Sequence, residues 1–365
     1  MLIVLSILIA LIIAIYVFLQ HPKFGKAPTG KRLERIQQSP HYKKNKFDNL
    51  NFTPQFAEDT SVFAIMMRFI FTKNKNLTPN TTFNFSKTDL KNIDPAENMY
   101  VWMGHSSYFL QVEGKKILVD PVFSGNASPV TFTTKAFSGS TVYNAEDIPD
   151  LDYLIITHDH WDHLDYATVK KLTPKVKLVL TGLGTGEHLE YWNYDPKKII
   201  ELDWSETFDL GCGFKIHAET ARHFSGRSFK RNQAIWASFI FETPNKRIYI
   251  GGDSGYDDHF ENIGKKYGGF DLAILENGQY NKDWRYIHMM PEEFLTAAKD
   301  LKTRTIIPVH NSKFALALHD WKEPLEKITT LNEQENLRLI TPKIGVKVNW
   351  EDCTKVHDKW WKEIE

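Results

Sequence analysis

Cysteine is nearly missing from this chain: Cys212 and Cys353 are the only two in 365 residues. That rules out a disulfide framework and a four-cysteine zinc site, so any metal must be held by imidazole and carboxylate. Fourteen histidines are available for the purpose. Net charge is missing as well, with 45 Lys and Arg against 45 Asp and Glu. Without a cationic excess there is little to neutralise a phosphate backbone, and nucleic acid is not an expected partner. The signature of disorder is also absent, since 42% of residues are apolar and 24 Phe, 14 Tyr and 10 Trp can fill a core. The length fits one large domain or two modest ones. No internal repeat stands out.

From Leu2 to Leu19 the chain runs 18 residues without a charge. As a helix this is about 27 Å, close to the hydrocarbon thickness of a bilayer. No Lys or Arg precedes the run, and Gln20-His-Pro-Lys-Phe24 offers no small-x-small cleavage site. Residues 1–20 are therefore expected to be an uncleaved, single-pass transmembrane anchor, not a secretory signal. Lys23, Lys26, Lys31, Arg32, Arg35, Lys43, Lys44 and Lys46 follow it. The positive-inside rule then puts the rest of the chain in the cytoplasm, with periplasmic exposure as the alternative. This basic flank either lies on anionic headgroups or is a solvated linker.

Residues 21–95 read as that basic linker and an N-terminal segment packing on the domain. Within it, the apolar run Ser61–Phe71 is expected to be a short helix packed on the core rather than facing a membrane. From 96 to 350 short β-rich runs such as MYVWMG, KKILVD, DYLIIT, RIYIGG and RTIIPVH alternate, later on, with helical stretches near 167–172, 256–267 and 291–301. That pattern predicts an α/β class of layered α+β type, with sheets covered by helices. Residues 351–365 read as a C-terminal tail.

The most informative segment is Leu154-Ile-Ile-Thr-His-Asp-His-Trp-Asp-His-Leu-Asp165. A strand ends abruptly in a polar cluster, and strand C-termini are where layered α/β folds build sites. Side chains at i and i+2 of an extended chain point the same way, so His158 and His160 can grip one ion. The turn into the next helix sends Asp162 and His163 toward a second. Imidazole with carboxylate suits two zinc ions, with iron or manganese as alternatives.

His158-x-His160-x-Asp162-His163 resembles the signature of the metallo-β-lactamase fold superfamily. The resemblance implies an αββα sandwich, preceded here by the transmembrane helix. It further calls for His223 in Ala-Arg-His-Phe-Ser-Gly-Arg227, Asp253 in Ile-Gly-Gly-Asp-Ser-Gly255 and His310 in Ile-Ile-Pro-Val-His310. By this resemblance His158, His160, His223 and Asp253 hold one ion, and Asp162, His163, His310 and the same Asp253 hold the other. A carboxylate suits the shared position because it has two oxygens that can each meet a cation. Gly251, Gly252 and Gly255 are expected to let the backbone turn tightly beside it.

Trp102-Met-Gly-His-Ser-Ser107, Leu118-Val-Asp-Pro-Val-Phe-Ser124, Gly252-Asp-Ser-Gly-Tyr256, Tyr286-Ile-His-Met-Met-Pro-Glu-Glu293 and Val309-His-Asn-Ser-Lys-Phe-Ala-Leu316 are similar to one branch in particular. It contains N-acylphosphatidylethanolamine phospholipase D and bacterial relatives, and it shares features with sugar-phosphate lactonases. The implied function is a membrane-anchored dinuclear zinc phosphodiesterase of phospholipase D type, using a metal-bridging hydroxide on a lipid or amphiphilic phosphodiester. Hydrolysis of a soluble lactone phosphate or other small ester is the alternative, and a membrane-tethered metal or ligand sensor is the non-enzymatic one. Asp162 and His288 are the candidate catalytic groups, His288 as an acid or phosphate donor in the loop before a helix. His105 is either a hydrogen-bonded core histidine or part of the site. Asp120 is placed to accept a proton from a ligand imidazole and fix its tautomer. Trp161 is expected to support the metal loop from behind. His21, His41, His188, His217, His259, His319 and His357 are expected to have no site role.

Overall fold

The structure is a computed structural model that describes residues 2–58, 60–72, 74–352, 354 and 358–364. Cys353 and His357 lie outside the described residues. Two sheets face each other. The seven-stranded one runs in the order Lys347–Val348, Met99–Trp102, Tyr108–Val112, Lys115–Val119, Leu151–Ile156, Val176–Gly182 and Ile199–Leu202. The six-stranded one runs Ile306–Val309, Leu272–Glu276, Arg247–Ile250, Ser238–Glu242, Phe214–Glu219 and Thr207–Gly211.

The apolar run Leu154-Ile-Ile156 is continuous because both faces of its strand are covered. Ile155 joins Tyr153, Ile117 and Trp102 in the core shared with Ile216, Phe239, Phe241 and Ile250 of the opposite sheet. Leu154 and Ile156 point the other way, onto Val169 and Leu172 of helix Tyr166–Leu172 and Leu189 of helix Gly186–Tyr191. On the far side Phe260, Phe294, Leu295 and Ile328, from helices His259–Tyr267, Pro291–Asp300 and Glu323–Glu335, pack against the six-stranded sheet. The result is the αββα sandwich of a metallo-β-lactamase fold.

Parallel pairing gathers the strand ends. Lys115–Val119, Leu151–Ile156, Val176–Gly182 and Ile199–Leu202 are mutually parallel, as are Arg247–Ile250, Leu272–Glu276 and Ile306–Val309. Their C-terminal ends therefore share an edge within each sheet, and the polar residues that close each apolar run meet there.

The helix Leu2–Leu19 has a mean hydropathy of 3.3 and no buried residue, and it is long and apolar enough to cross a membrane. The segment after it is more tightly held than a linker. Arg32 is clasped by Glu187, Glu190 and Glu201, Lys26 pairs with Glu187, and Arg35 pairs with Glu206. Arg32 is largely covered by these carboxylates, while Lys26 and Arg35 pair at the surface and stay about half exposed. Ile36, Phe47 and Phe83 ahead of the expected boundary at 96, and Trp360 and Trp361 beyond 350, are buried in the same core as the sheets. One hydrophobic cluster thus includes the N-terminal segment, the sheets and two tryptophans near the C-terminal end of the described residues.

Candidate metal centre

Seven side chains converge at the shared edge. His158, His160, Asp162 and His163 follow strand Leu151–Ile156, His223 follows Phe214–Glu219, Asp253 follows Arg247–Ile250, and His310 follows Ile306–Val309. His160 Nδ1 lies 2.9 Å from His158 Nε2 and 3.2 Å from His223 Nε2. Asp253 Oδ2 is 3.1 Å from His163 Nε2, 3.7 Å from His223 Nε2 and 3.9 Å from His158 Nε2, while its Oδ1 is 3.1 Å from His310 Nδ1. Asp162 Oδ2 stands 3.5 Å from His163 Nε2. One carboxylate therefore touches both groups of imidazoles.

The surrounding hydrogen bonds aim these atoms. Asp120 Oδ2 accepts from Nδ1 of His163 at 2.7 Å, which fixes the ring and turns Nε2 toward Asp253. Asp120 is itself held by the backbone N–H and hydroxyl of Thr157 at 2.9 and 2.6 Å. The Ile287 carbonyl accepts from Nδ1 of His223 at 2.9 Å, freeing its Nε2 in the same way. His105, fully buried, donates Nε2–H to Asp162 Oδ2 at 2.9 Å. His105 and Asp120 thus touch two of the cluster's side chains directly.

The electrostatics of the cluster suit a cation. Burial and the neighbouring imidazoles push His158 and His223 well below the usual histidine range, and burial takes His160 down to about 4. All three are neutral near pH 7, as ligands must be. Burial opposes a proton on His163, yet Asp253, Asp162 and Asp120 together raise it well above its ordinary value. Burial lifts Asp253 to about 6. His163 Nε2, His310 Nε2 and Asp253 Oδ1 are buried without a hydrogen-bond partner. Buried polar atoms are normally satisfied, and a cation between them would satisfy these. The donor set, imidazole nitrogen with carboxylate oxygen, fits zinc-like ions.

Backbone strain collects at the same place, with His105, Asp120 and His310 all at positive φ, between 41° and 70°. The glycines beside Asp253 serve a different purpose from the tight turn expected of them. None of Gly251, Gly252 and Gly255 has a positive φ. They permit close approach instead: a Cβ on Gly255 would sit 2.1 Å from the Tyr286 carbonyl oxygen, and one on Gly252 would sit 2.9 Å from Thr157 Cβ.

His288 lines the pocket over the cluster, its ring 5.0 Å from that of His223. Its Nδ1 meets Glu276 Oε2 at 2.8 Å, and the Met289 N–H meets Glu276 Oε1 at 2.7 Å. Burial raises Glu276 well above the carboxylate range and lowers His288, which favours a Glu276 hydroxyl that donates a hydrogen bond to Nδ1 and leaves the imidazole proton on Nε2. Glu276 was not legible as a site residue, although its place at the end of an apolar strand run, like that of Asp253, is a usable signal. His188 was expected to have no site role, but it donates Nε2–H to Asp159 Oδ2 inside the metal loop at 3.2 Å. Trp161 packs edge-on to Phe24 at 5.3 Å and carries the Arg227 guanidinium on its face at 3.9 Å.

The pocket has a volume of about 280 Å³, with a floor of His160, Asp162, His223, Asp253, His288 and His310. Its opposite wall is apolar, with Ile65 and Phe69 from helix Val62–Phe71 beside Phe56, Trp284 and Leu316. This helix was expected to pack into the core, and it does so by one side only. Ile65 joins Trp284, Ile287 and Ala317, Phe69 stacks on Trp284 at 6.2 Å, and Arg68 pairs with Asp283. Val62, Phe63, Ile70 and Phe71 remain more than 60% exposed. The run is apolar around nearly its whole circumference, so one packed face leaves another bare.

A family model described as a Beta-lactamase superfamily domain matches residues 115–311. An uncharacterised protein of Mycobacterium tuberculosis is 33% identical over 330 residues, which cover 89% of this chain and 88% of its own. The N-acyl-phosphatidylethanolamine-hydrolyzing phospholipase D 1 of Caenorhabditis elegans is 29% identical over 300 residues, covering 76% of this chain and 83% of its own. A solved metallo hydrolase from the hyperthermophilic archaeon Ignicoccus hospitalis shares the fold with a TM-score of 0.52 at 21% identity, over 69% of this chain and 97% of its own.

Proposed function

This chain belongs to the metallo-β-lactamase superfamily and is a metal-dependent hydrolase, and on that premise we propose that it cleaves a lipid phosphodiester, of the N-acylphosphatidylethanolamine kind, at a membrane surface. One observation carries the reading: the wall facing the metal cluster is an apolar helix whose outer side is bare. A soluble, charged substrate has no use for such a wall, whereas an acyl chain does. A second cleft of about 560 Å³ shares Gln55, His223, Phe224 and Ile287 with the metal pocket and adds Lys46, Asn49 and Arg231. An amphiphile could lay its polar end there and its chains along Ile65 and Phe69.

In this reading His158, His160, His223 and Asp253 hold one divalent cation, and Asp162, His163, His310 and Asp253 hold another, zinc being the best match. Bound there, such ions supply an activated water and take up charge on a phosphoryl oxygen. The chain's own groups do the rest. Asp120 and the Ile287 carbonyl keep His163 and His223 in the ligating tautomer. Because Glu276 occupies Nδ1 of His288, Nε2–H is left to donate to the phosphoryl group or the departing oxygen. Asp162, held by His105, is positioned to orient the attacking water. The helix Leu2–Leu19 keeps the site at its substrate, and the basic residues behind it favour a cytoplasmic orientation.

The test is substrate choice. Metal-replete full chain in detergent or nanodiscs should hydrolyse N-acylphosphatidylethanolamine in mixed vesicles and a soluble aryl phosphodiester. Phe69→Ser should impair the first and spare the second. Equal effects on both would remove the lipid reading and favour a small ester.

A further inference from the structure

The membrane helix ends against the metal-binding loop. Three residues past Leu19, the Pro22 carbonyl accepts from Trp192 Nε1 at 2.8 Å, and Phe24 stands edge-on to Trp161. Arg227, only 4% exposed, lies between the two. Its Nη1 donates to the carbonyls of Asp159 at 2.8 Å and Leu164 at 2.7 Å, which bracket His160, Asp162 and His163. Its Nε and Nη2 donate to the Lys23 carbonyl at 3.2 and 2.9 Å. A second tie runs in parallel. The Lys26 N–H donates to His188 Nδ1 at 3.0 Å, and His188 passes on to Asp159 Oδ2, whose other oxygen accepts the Gly226 N–H at 2.6 Å. Gly25 makes this approach possible: it has a φ of 73°, and a Cβ there would lie 2.0 Å from His188 Nδ1.

We propose that Arg227 and His188 are positioning residues that tie residues 22–26, the root of the membrane helix, to the metal-binding loop, so that the docked root holds the ligands of that loop in place. The guanidinium suits the task because its planar fork has enough donors to hold three carbonyls on two segments at once. A lysine keeps the charge but cannot span both. The loop between Thr157 and Leu164 contributes four of the seven ligands assigned above, and small displacements of ligands are felt strongly at a metal. The root therefore acts as part of the site's support, beyond tethering it to lipid. The proposal rests on the metal assignment above and not on the identity of the substrate.

The test uses full-length protein in detergent, reconstituted with cobalt(II), and reads the visible ligand-field spectrum and the rate of cobalt loss to a chelator. Arg227→Lys should shift the spectrum and speed cobalt loss by about tenfold, within the range found when support of metal ligands is lost. Phe24→Ala touches neither a ligand nor the loop's backbone, and should move both readouts the same way by less. Arg35→Gln, on the same segment but paired with Glu206 at the surface, should move neither. Arg227→Lys and Phe24→Ala with the parent spectrum and parent cobalt loss overturn the positioning role, even if their melting temperatures fall. If Arg227→Lys does not fold, Phe24→Ala and His188→Asn decide by the same readouts. A parent protein that takes up no cobalt overturns the metal assignment instead.

Discussion

The floor and the roof of the metal pocket are built on opposite terms. The floor comes from strand ends and the loops after them: its side chains are buried, save the half-buried His160 and His288, several are fixed by partners such as Asp120 and the Ile287 carbonyl, and His310 and the supporting His105 and Asp120 sit at positive φ. The roof is one ten-residue helix, capped by Ser61, with no buried residue and its outer side bare. Rigid support suits groups that must keep a geometry to about half an ångström, and loose attachment suits a surface that must admit a chain. Chemistry is therefore assigned to the floor and substrate choice to the roof. Mutations in the two should fail in different ways.

The largest effect is expected at the centre of the floor. Asp253→Asn removes the one negative charge that reaches both imidazole groups, and should cost both metal equivalents together. Activity on every substrate should then fall by a factor on the order of a thousand or more. Elemental analysis with turnover of a soluble phosphodiester checks it; loss of a single equivalent with surviving activity would break the shared-carboxylate assignment. Asp120→Asn comes next, at about 10–100-fold in metal affinity or rate, because His163 loses the acceptor that fixes its tautomer. Chelator competition measures it, and an unchanged affinity would mean that Asp120 only braces Thr157.

The roof gives a smaller and selective effect. Phe69→Ser and Ile65→Ser should raise KM for vesicle lipid several-fold while leaving kcat on a soluble diester near its parent value, since neither side chain touches the ligands. A matching loss on the soluble substrate would show that the roof supports the floor and erase the contrast between them.

The smallest effect concerns His259, a buried residue with its Nε2 on the Ser254 hydroxyl at 3.2 Å. Burial lowers it to about 3, so the folded protein refuses a proton that the unfolded chain accepts below about 6.5. The unfolded state then binds more protons, and stability must drop as pH falls from 6.5 toward 3. His259→Asn should reduce this acid sensitivity by on the order of 1 kcal/mol at pH 5, read from urea midpoints at pH 7 and pH 5. An identical pH slope in the variant would contradict the buried neutral ring.

The same contrast explains what could be read from the amino-acid order. The run from Leu154 to Asp165 joins a doubly covered strand to its polar end within a dozen residues, so residue type and spacing bring the first candidate ligands together locally. The other candidate ligands, His223, Asp253 and His310, came from the family resemblance and not from local pattern, because the strands that carry them are far apart in the chain. Glu276 escaped notice because a lone glutamate after an apolar run looks like any strand exit until His288 is folded against it. The roof was harder. An apolar helix reads as core, and residues more than 200 positions away, Asp283, Trp284, Ile287 and Ala317, decide which side of Val62–Phe71 is covered. The basic segment after the apolar helix Leu2–Leu19 was opaque for the same reason, because the glutamates that claim Arg32 lie beyond residue 180.

The central claim is that the metal-bearing floor directs water at phosphorus in a lipid phosphodiester. The most direct measurement is mass spectrometry of products formed from N-acylphosphatidylethanolamine vesicles by the metal-replete full chain in water enriched with heavy oxygen. The account predicts phosphatidic acid carrying one heavy oxygen on its phosphate, together with unlabelled N-acylethanolamine. Label in a released fatty acid, or no product from a chain shown to carry its metals, would contradict it.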